Sequence, residues 1–282
     1  MTALPAARYT PRMPTRTDFR THYGPWALVA GAAVGLGAEY ATQLAARGLH
    51  LVLVDRDGDA LRDTARTLAT KAGVQTLPVV ADLSRADIGT VLTTAVAERE
   101  IGLLVYNAAV GLVSPFVDTT PAHSMAAVDV NCRGPLLLVH SFVPAMVARG
   151  RGGLILMSSM SGNFGSEQLA VYAASKAFNL VLADALWAEL APKGVDVLAV
   201  QPGSTRTPGW QSSQPPELQG PGPHVMESAE VVTAALNALG DGPHVVPGDM
   251  NQQGVAMLAS MSRRQAVEMM SSITRTLRPN IR

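Results

Sequence analysis

Cysteine is nearly absent: Cys132 stands alone in the chain. No intrachain disulfide can form, which fits a reducing compartment, and Cys132 reads either as a small buried filler or as a reactive thiol. Lysine is scarce as well. Only Lys71, Lys176 and Lys193 occur, with arginine supplying the rest of the 22 basic residues, so each lysine stands out. Acidic and basic residues balance to a formal net charge of zero, and no basic stripe marks a nucleic-acid partner. No apolar run approaches the roughly 18 residues of a membrane span, so no stable membrane insertion is expected. The histidines are scattered without ligand spacing, which puts no metal site in view. Residues 1–22 hold Pro5, Pro11, Pro14, Arg8, Arg12, Arg16 and Arg20 but no apolar core of a secretory signal. They read as a disordered, mildly basic arm, with a transit peptide as the alternative, and the chain is expected in the cytoplasm.

What is present is a large apolar fraction, 48% of 282 residues, enough for one sizeable core. From residue 23 onward, short apolar runs alternate with amphipathic stretches. Strands are expected at 26–30, 50–54, 76–80, 103–106, 153–158 and 195–200. Helices are expected at 36–47, 57–71, 85–98, 121–149 and 171–191. Regular β–α alternation implies right-handed crossovers, and hence a parallel sheet covered by helices on both faces. The expected architecture is a single doubly wound α/β domain of the Rossmann type over 23–250. The stretch 208–226, rich in proline and glycine, is too long for an ordinary connector and reads as a substrate lid. A helix at 227–239 and a short strand at 244–247 follow. Residues 251–282, with Met257, Met261, Met269 and Met270, read as a helical extension. Its apolar face packs on the fold, covers an apolar ligand or meets a membrane surface.

Gly31-Ala-Ala-Val34-Gly35-Leu36-Gly37 lies where the first strand meets the first helix. Glycines there permit a tight turn and close approach of backbone to a pyrophosphate, and the helix N-terminus offers free N–H groups. The second strand ends at Asp55, placed to accept hydrogen bonds from the ribose hydroxyls of NAD and to repel the extra phosphate of NADP. Arg56 beside it would attract that phosphate. NAD is the preferred expectation, with NADP as the alternative. Asp82 and Leu83, after the third strand, are placed to reach the adenine, or Asp82 simply opens a helix.

Tyr172-Ala-Ala-Ser-Lys176 puts a tyrosine and a lysine on one face of an expected helix. A phenol titrates near pH 10, so bringing it to about 7 takes roughly 4 kcal/mol. A neighbouring ammonium supplies much of that by favouring the phenolate. Such a tyrosine gives a proton to a carbonyl, or takes one from an alcohol, while hydride moves to or from a cofactor.

The ordered set resembles the short-chain dehydrogenase/reductase family over roughly residues 23–250. The glycine signature matches Gly31, Gly35 and Gly37. The Asn-Ala motif matches Asn107-Ala108, followed by Ala109. The helix asparagine matches Asn131. The catalytic serine falls thirteen residues before the tyrosine, at Ser159. The Tyr-x-x-x-Lys pair is Tyr172 and Lys176. The Pro-Gly turn is Pro202-Gly203, with Thr205 and Thr207 after it. The resemblance implies that Tyr172 is the general acid/base, that Lys176 lowers its pKa and holds the nicotinamide ribose, that Ser159 orients the substrate oxygen, and that Asn131 holds a water relaying protons from Lys176. Val34 and Leu36 would join the cofactor loop. The flanks Tyr23–Val29 and Val246–Asn251 are similar to a ketoacyl and hydroxysteroid reductase-like branch.

Two departures stand out. Ala30 replaces the threonine usual before the first glycine, and Tyr106 replaces the first asparagine of Asn-Asn-Ala-Gly, so some other packing must brace the strands there. The expected pocket residues Phe116, Met160, Phe164, Leu169, Trp210 and Met226 are apolar, which suggests a steroid, terpenoid, fatty or polyketide-like substrate. Two alternatives stay open: a cofactor-binding sensor or scaffold without turnover, and a non-redox dehydration or cyclisation. The family resemblance further implies a homodimer or homotetramer built through the helices at 121–149 and 171–191.

Overall fold

Trp26–Ala30 (β1), His50–Asp55 (β2), Ile101–Tyr106 (β4) and Gly152–Met157 (β5) are buried almost throughout. Strands so placed need apolar residues on both faces, and these have them. With Thr76–Val80 (β3), Val195–Val200 (β6) and the two-residue His244–Val245 (β9), they form one parallel sheet in the order β3-β2-β1-β4-β5-β6-β9. The computed structural model describes residues 16–111, 113–213 and 225–277.

Two helical layers cover this sheet. On one face lie Gly35–Ala46 (α2), Gly58–Ala72 (α3) and Ser228–Ala238 (α9), which bring Tyr40, Leu44, Leu61, Val231 and Leu236 against Val29, Leu53 and Leu198. On the other lie Ile88–Val96 (α4), Gly134–Arg149 (α6) and Ala170–Leu190 (α7), where Leu92, Leu138, Phe142 and Ala183 meet Leu28, Leu104 and Leu156. The strand order reverses between β1 and β4. Their carboxyl ends therefore open a crevice at the point where such sheets bind ligands.

Several expectations need correction. Residues 16–22 are not disordered: Arg16–Tyr23 is a helix (α1), and Phe19 and Tyr23, one turn apart, are 3% and 2% exposed. The Tyr23 hydroxyl donates to Asp196 Oδ2 at 2.7 Å, tying α1 to β6. Residues 1–15 lie outside the described residues. The helix expected at 85–98 is shorter, because the turn at Asp82–Arg85 occupies its start. The helix expected at 121–149 is interrupted: Pro121–Val128 (α5) runs into one π turn, Asp129–Arg133, before α6. By length and composition that whole stretch is apolar enough to cross a membrane, yet 44% of its apolar window is buried in the fold.

The lid also differs from a plain loop. Pro208–Ser213 is a short helix (α8), and Met226–Glu227 (β8) pairs with Thr205–Arg206 (β7), while the rest of the expected lid, 214–224, lies outside the described residues. The C-terminal extension is two helices, Asp249–Ala259 (α10) and Arg263–Leu277 (α11).

Because Phe19 fills the core from α1, Phe19→Ala should lower the unfolding free energy by about 3 kcal/mol. Urea denaturation checks this, and a change within error would show that α1 adds nothing to stability.

Candidate active site

The glycine loop sits at the mouth of the crevice. Gly31 and Ala32 N–H groups both donate to Val54 O, and Asn107 and Ala108 N–H groups both donate to Ala30 O. The missing threonine hydroxyl is thus bypassed by main-chain bonds that bind the loop to β2 and β4. Asn107 Nδ2 donates to Gly31 O at 2.8 Å. Gly35 has φ +60°, a left-handed conformation, and a methyl at Gly37 would overlap Gly31 O. The N-terminus of α2, capped only by the Val34 backbone, has no side-chain cap, so its first N–H groups are available to an anion. Asp55 lies beside this loop, where its Oδ2 accepts from Ala33 N at 3.0 Å and its Oδ1 from Asp57 N at 3.1 Å. Leu83 is buried in the core layer that also holds Leu28, Leu92 and Leu138. Asp82 Oδ1 accepts from Ser84 N at 2.9 Å, and this bond chiefly holds the Asp82 carboxyl below its usual range, with Arg56 and Arg85 nearby adding to it.

The second departure has a structural consequence. Tyr106 is buried, and its hydroxyl donates to Val130 O at 2.6 Å. It therefore braces β4 against the π turn rather than only packing its ring. A π turn adds one residue to a helix and redirects the side chains and carbonyls around it. Here it carries Asn131, fully buried, whose Oδ1 accepts from Val110 N at 2.7 Å and whose Nδ2 donates to Val110 O and to Ser175 Oγ, both at 3.0 Å. The Asn131 side chain is thus committed to joining the loop after β4 to α7. Its main-chain carbonyl also faces α7, where it accepts from Asn179 Nδ2 at 3.0 Å, so the water that Asn131 is expected to hold would sit on that carbonyl's second lone pair rather than on the committed side chain.

Tyr172 and Lys176 lie one turn apart in α7, with Lys176 Nζ 5.6 Å from the Tyr172 ring centre. Lys176 is 3% exposed and donates to Met157 O at 2.9 Å. Burial pulls its ammonium from the ordinary 10.5 to about 8, the Cys132 thiol opposing the shift. Cys132 itself is half-buried, and burial raises its thiol. Ser158 Oγ donates to Lys176 O at 2.7 Å, fixing β5 to α7, and the next residue, Ser159, half-exposed at the strand's end, accepts from Ser161 N. The neighbouring turn holds Pro202 buried and Gly203 against Asn251, while Thr205 is buried and Thr207 Oγ1 accepts from Trp210 N at 3.1 Å. A methyl at Gly35 would touch the Thr207 side chain, so the Pro-Gly segment reaches the glycine loop.

The pocket residues are only partly brought together. Met160 lies near Gly254 of α10, and Met226 contacts Gly248 and Asn251, so both share α10 as a wall. Phe164 lies under the Arg263 guanidinium, 5.0 Å from it, against α11. Leu169 precedes α7 and is half-buried, whereas Phe116 is 65% exposed and stands at the rim at most. Trp210 is on α8, half-buried.

Sequence reasoning missed the part played by α11. Ser166 Oγ and Thr274 Oγ1 pair at 2.7 Å in buried surroundings, Ser271 Oγ accepts from Glu167 N at 3.1 Å, and Arg275 pairs with Glu167. The segment 163–168, which leads into Tyr172, is thereby held by a helix some 100 residues downstream. The only sequence signal was a set of small hydroxyl residues on an otherwise apolar stripe.

The model of the short chain dehydrogenase family matches residues 25–218. The chain belongs to that family. Inactive hydroxysteroid dehydrogenase-like protein 1 of Rattus norvegicus is 33% identical over 244 residues, covering 83% of this short-chain dehydrogenase and 73% of the rat protein. A solved 7beta-hydroxysteroid dehydrogenase superposes with a TM-score of 0.83 at 29% identity, covering 89% of this chain and 98% of that one. A short-chain dehydrogenase from Sphingobium yanoikuyae, solved in complex with NADPH, gives a TM-score of 0.71 at 30% identity, with 85% and 96% covered. The chain is therefore a dehydrogenase/reductase of a fold that carries NAD(P), and its glycine cradle and uncapped helix fit that group.

Folding lowers the Lys176 pKa below its unfolded value. At pH 7 the buried ammonium therefore carries the full penalty, and stability rises with pH from about 8 to 10.5. Lys176→Met should stabilise the fold at pH 7 by about 1–3 kcal/mol, with the gap closing toward pH 10.5. Urea denaturation across that range checks the sign. A variant less stable at neutral pH would contradict it.

Proposed function

We propose that this short-chain dehydrogenase interconverts a secondary alcohol and a ketone on a hydrophobic small molecule, with NAD preferred and NADP the alternative. The observation that carries the reading is the buried Lys176 ammonium 5.6 Å from the Tyr172 ring on one helix face, bonded to Met157 O, two residues before Ser159. A nicotinamide cofactor, when bound, supplies or removes the hydride. Gly31, Val34, Gly35, Leu36 and Gly37 would hold its pyrophosphate, Asp55 and Arg56 its adenosine ribose, Asp82 and Leu83 its adenine, and Asn107, Ala108, Ala109, Pro202, Gly203, Thr205 and Thr207 its nicotinamide half. In reduction, the Tyr172 O–H donates to the substrate oxygen while Ser159 Oγ holds that oxygen in place. In oxidation, the Tyr172 phenolate, favoured by the Lys176 charge, accepts the alcohol proton.

The apolar side chains Met160 and Met226 along α10, with Phe164 and Leu169 on the segment leading into α7, suit a steroid, terpenoid, fatty or polyketide-like carbonyl, and the hydroxysteroid dehydrogenases among the relatives support that class. The Asp55 carboxylate at the end of β2 supports NAD, while Arg56 and the NADPH-bound neighbour support the alternative. A second reading, a cofactor-binding protein without turnover, is favoured by the inactive rat relative, but the intact set Asn131, Ser159, Tyr172 and Lys176 supports catalysis. We also infer a cytoplasmic homodimer or homotetramer through α6 and α7, because Ala174, Val181, Ala185 and Ala188 form an exposed apolar row on α7. Sedimentation of the intact chain as a monomer would overturn that assembly.

Tyr172→Phe should cut turnover of hydrophobic alcohols by about 1,000-fold while fluorescence titration shows NADH and NADPH bound as before. Turnover equal to the unmodified chain would remove Tyr172 from the chemistry. In the same titration, Asp55→Ala should lose the preference for NADH over NADPH. An unchanged ratio would assign selectivity elsewhere.

A further inference from the structure

Asn179 is a polar residue on the buried face of α7, 2% exposed. Its Nδ2 donates to Asn131 O at 3.0 Å, which fixes the orientation of the carboxamide. Its Oδ1 is buried and accepts no hydrogen bond from the described residues. A buried acceptor left in that state costs free energy unless something supplies a donor. Three residues earlier on the same helix, and so on the same face, is the Lys176 ammonium. It has three N–H donors, and Met157 O takes one of them. Both side chains converge on the π turn: Asn179 meets Asn131, and Lys176 lies within electrostatic reach of Cys132.

We propose that Asn179 is a positioning residue for Lys176: its Oδ1 accepts a hydrogen bond from the water that the family resemblance places between Asn131 and Lys176, and so fixes that water as the acceptor of a Lys176 N–H. That water has the partners such a site requires, namely Lys176 Nζ, Asn179 Oδ1 and the second lone pair of Asn131 O. The proposal rests on the reading of Tyr172 and Lys176 as the acid/base pair. It adds that the charge on Lys176 is sustained from behind by a group that touches neither substrate nor cofactor. The titratable groups facing Lys176 are Tyr172 on its own helix and Cys132 on the π turn. A hydrogen bond to the charged form raises the pKa of a lysine, which counters part of the fall that burial imposes.

The chain's scarcity of lysine makes a direct test practical. With 13C-labelled lysine, the full-length protein shows three side-chain ε-carbon signals, from Lys71, Lys176 and Lys193, and Lys176→Met identifies one of them. Asn179→Leu should lower the Lys176 pKa by about one to two units. Asn179→Asp, which places a carboxylate at the same spot, should raise it. If the leucine variant does not fold, the aspartate variant alone decides. A Lys176 signal that titrates as in the unmodified chain in the folded variants overturns the proposal, and a role limited to packing would lower the melting temperature without moving that signal. Because the readout needs no turnover, a chain that oxidises no alcohol would sink the catalytic reading while leaving the outcome for Asn179 intact.

Discussion

The burial of a charged lysine beneath a tyrosine is the constraint around which the rest of the site is arranged. An ammonium removed from water needs acceptors in fixed positions, or it loses its proton. Met157 O provides one acceptor from the end of β5, and Ser158 holds the lysine's own backbone to the same strand. The sheet therefore sets the height of the lysine, and the helix sets its distance from the phenol. The price is stability, and the fold meets it with two wide apolar layers whose strands are buried on both sides.

A second support comes from the opposite side. Tyr106 reaches from β4 to the π turn, Asn131 reaches from the π turn to Val110 and Ser175, and Asn179 reaches back from α7. Three elements meet in this knot of hydrogen bonds without an exposed member among Tyr106, Asn131, Ser175 and Asn179. The π turn and the proline after it make it possible: Gly134 N–H donates to Asp129 O, which leaves Val130 O to Tyr106, and Pro135, four residues after Asn131, has no N–H to engage the Asn131 carbonyl. The replacement of an asparagine by Tyr106 is therefore not a loss of bracing but a change in what is braced: the helix, not the neighbouring strand.

The fold was legible in the sequence because its strands are continuous apolar runs separated by helices at regular intervals, and the chemical pair was legible because Tyr172 and Lys176 stand in order behind Gly31, Asn107, Asn131 and Ser159. Other features were hidden by physics that a linear pattern does not carry. Phe19 and Tyr23 sit in a segment dominated by proline and arginine, and only the shape of the core shows that they fill it. The π turn adds one residue to an apolar helix without disturbing its composition. Asn179 looks like one polar residue in a long amphipathic stretch until its partner on another helix is known. The tail divides into α10, where Gly254 and Asn251 meet Met160 and Met226, and α11, where Ser271, Thr274 and Arg275 hold the segment 163–168, and these small and polar residues carry no apolar pattern to read.

The seam between α11 and that segment also bears on how the molecule is made. Ser166 and Thr274 are 108 positions apart, as are Glu167 and Arg275. Closing contacts of such sequence separation costs loop entropy that local contacts do not. On a ribosome, which releases the N-terminal part first, the segment before Tyr172 is made well before α11, the helix that supports it from outside. The approach to Tyr172 therefore gains its outer support only once the chain has been made through Arg275.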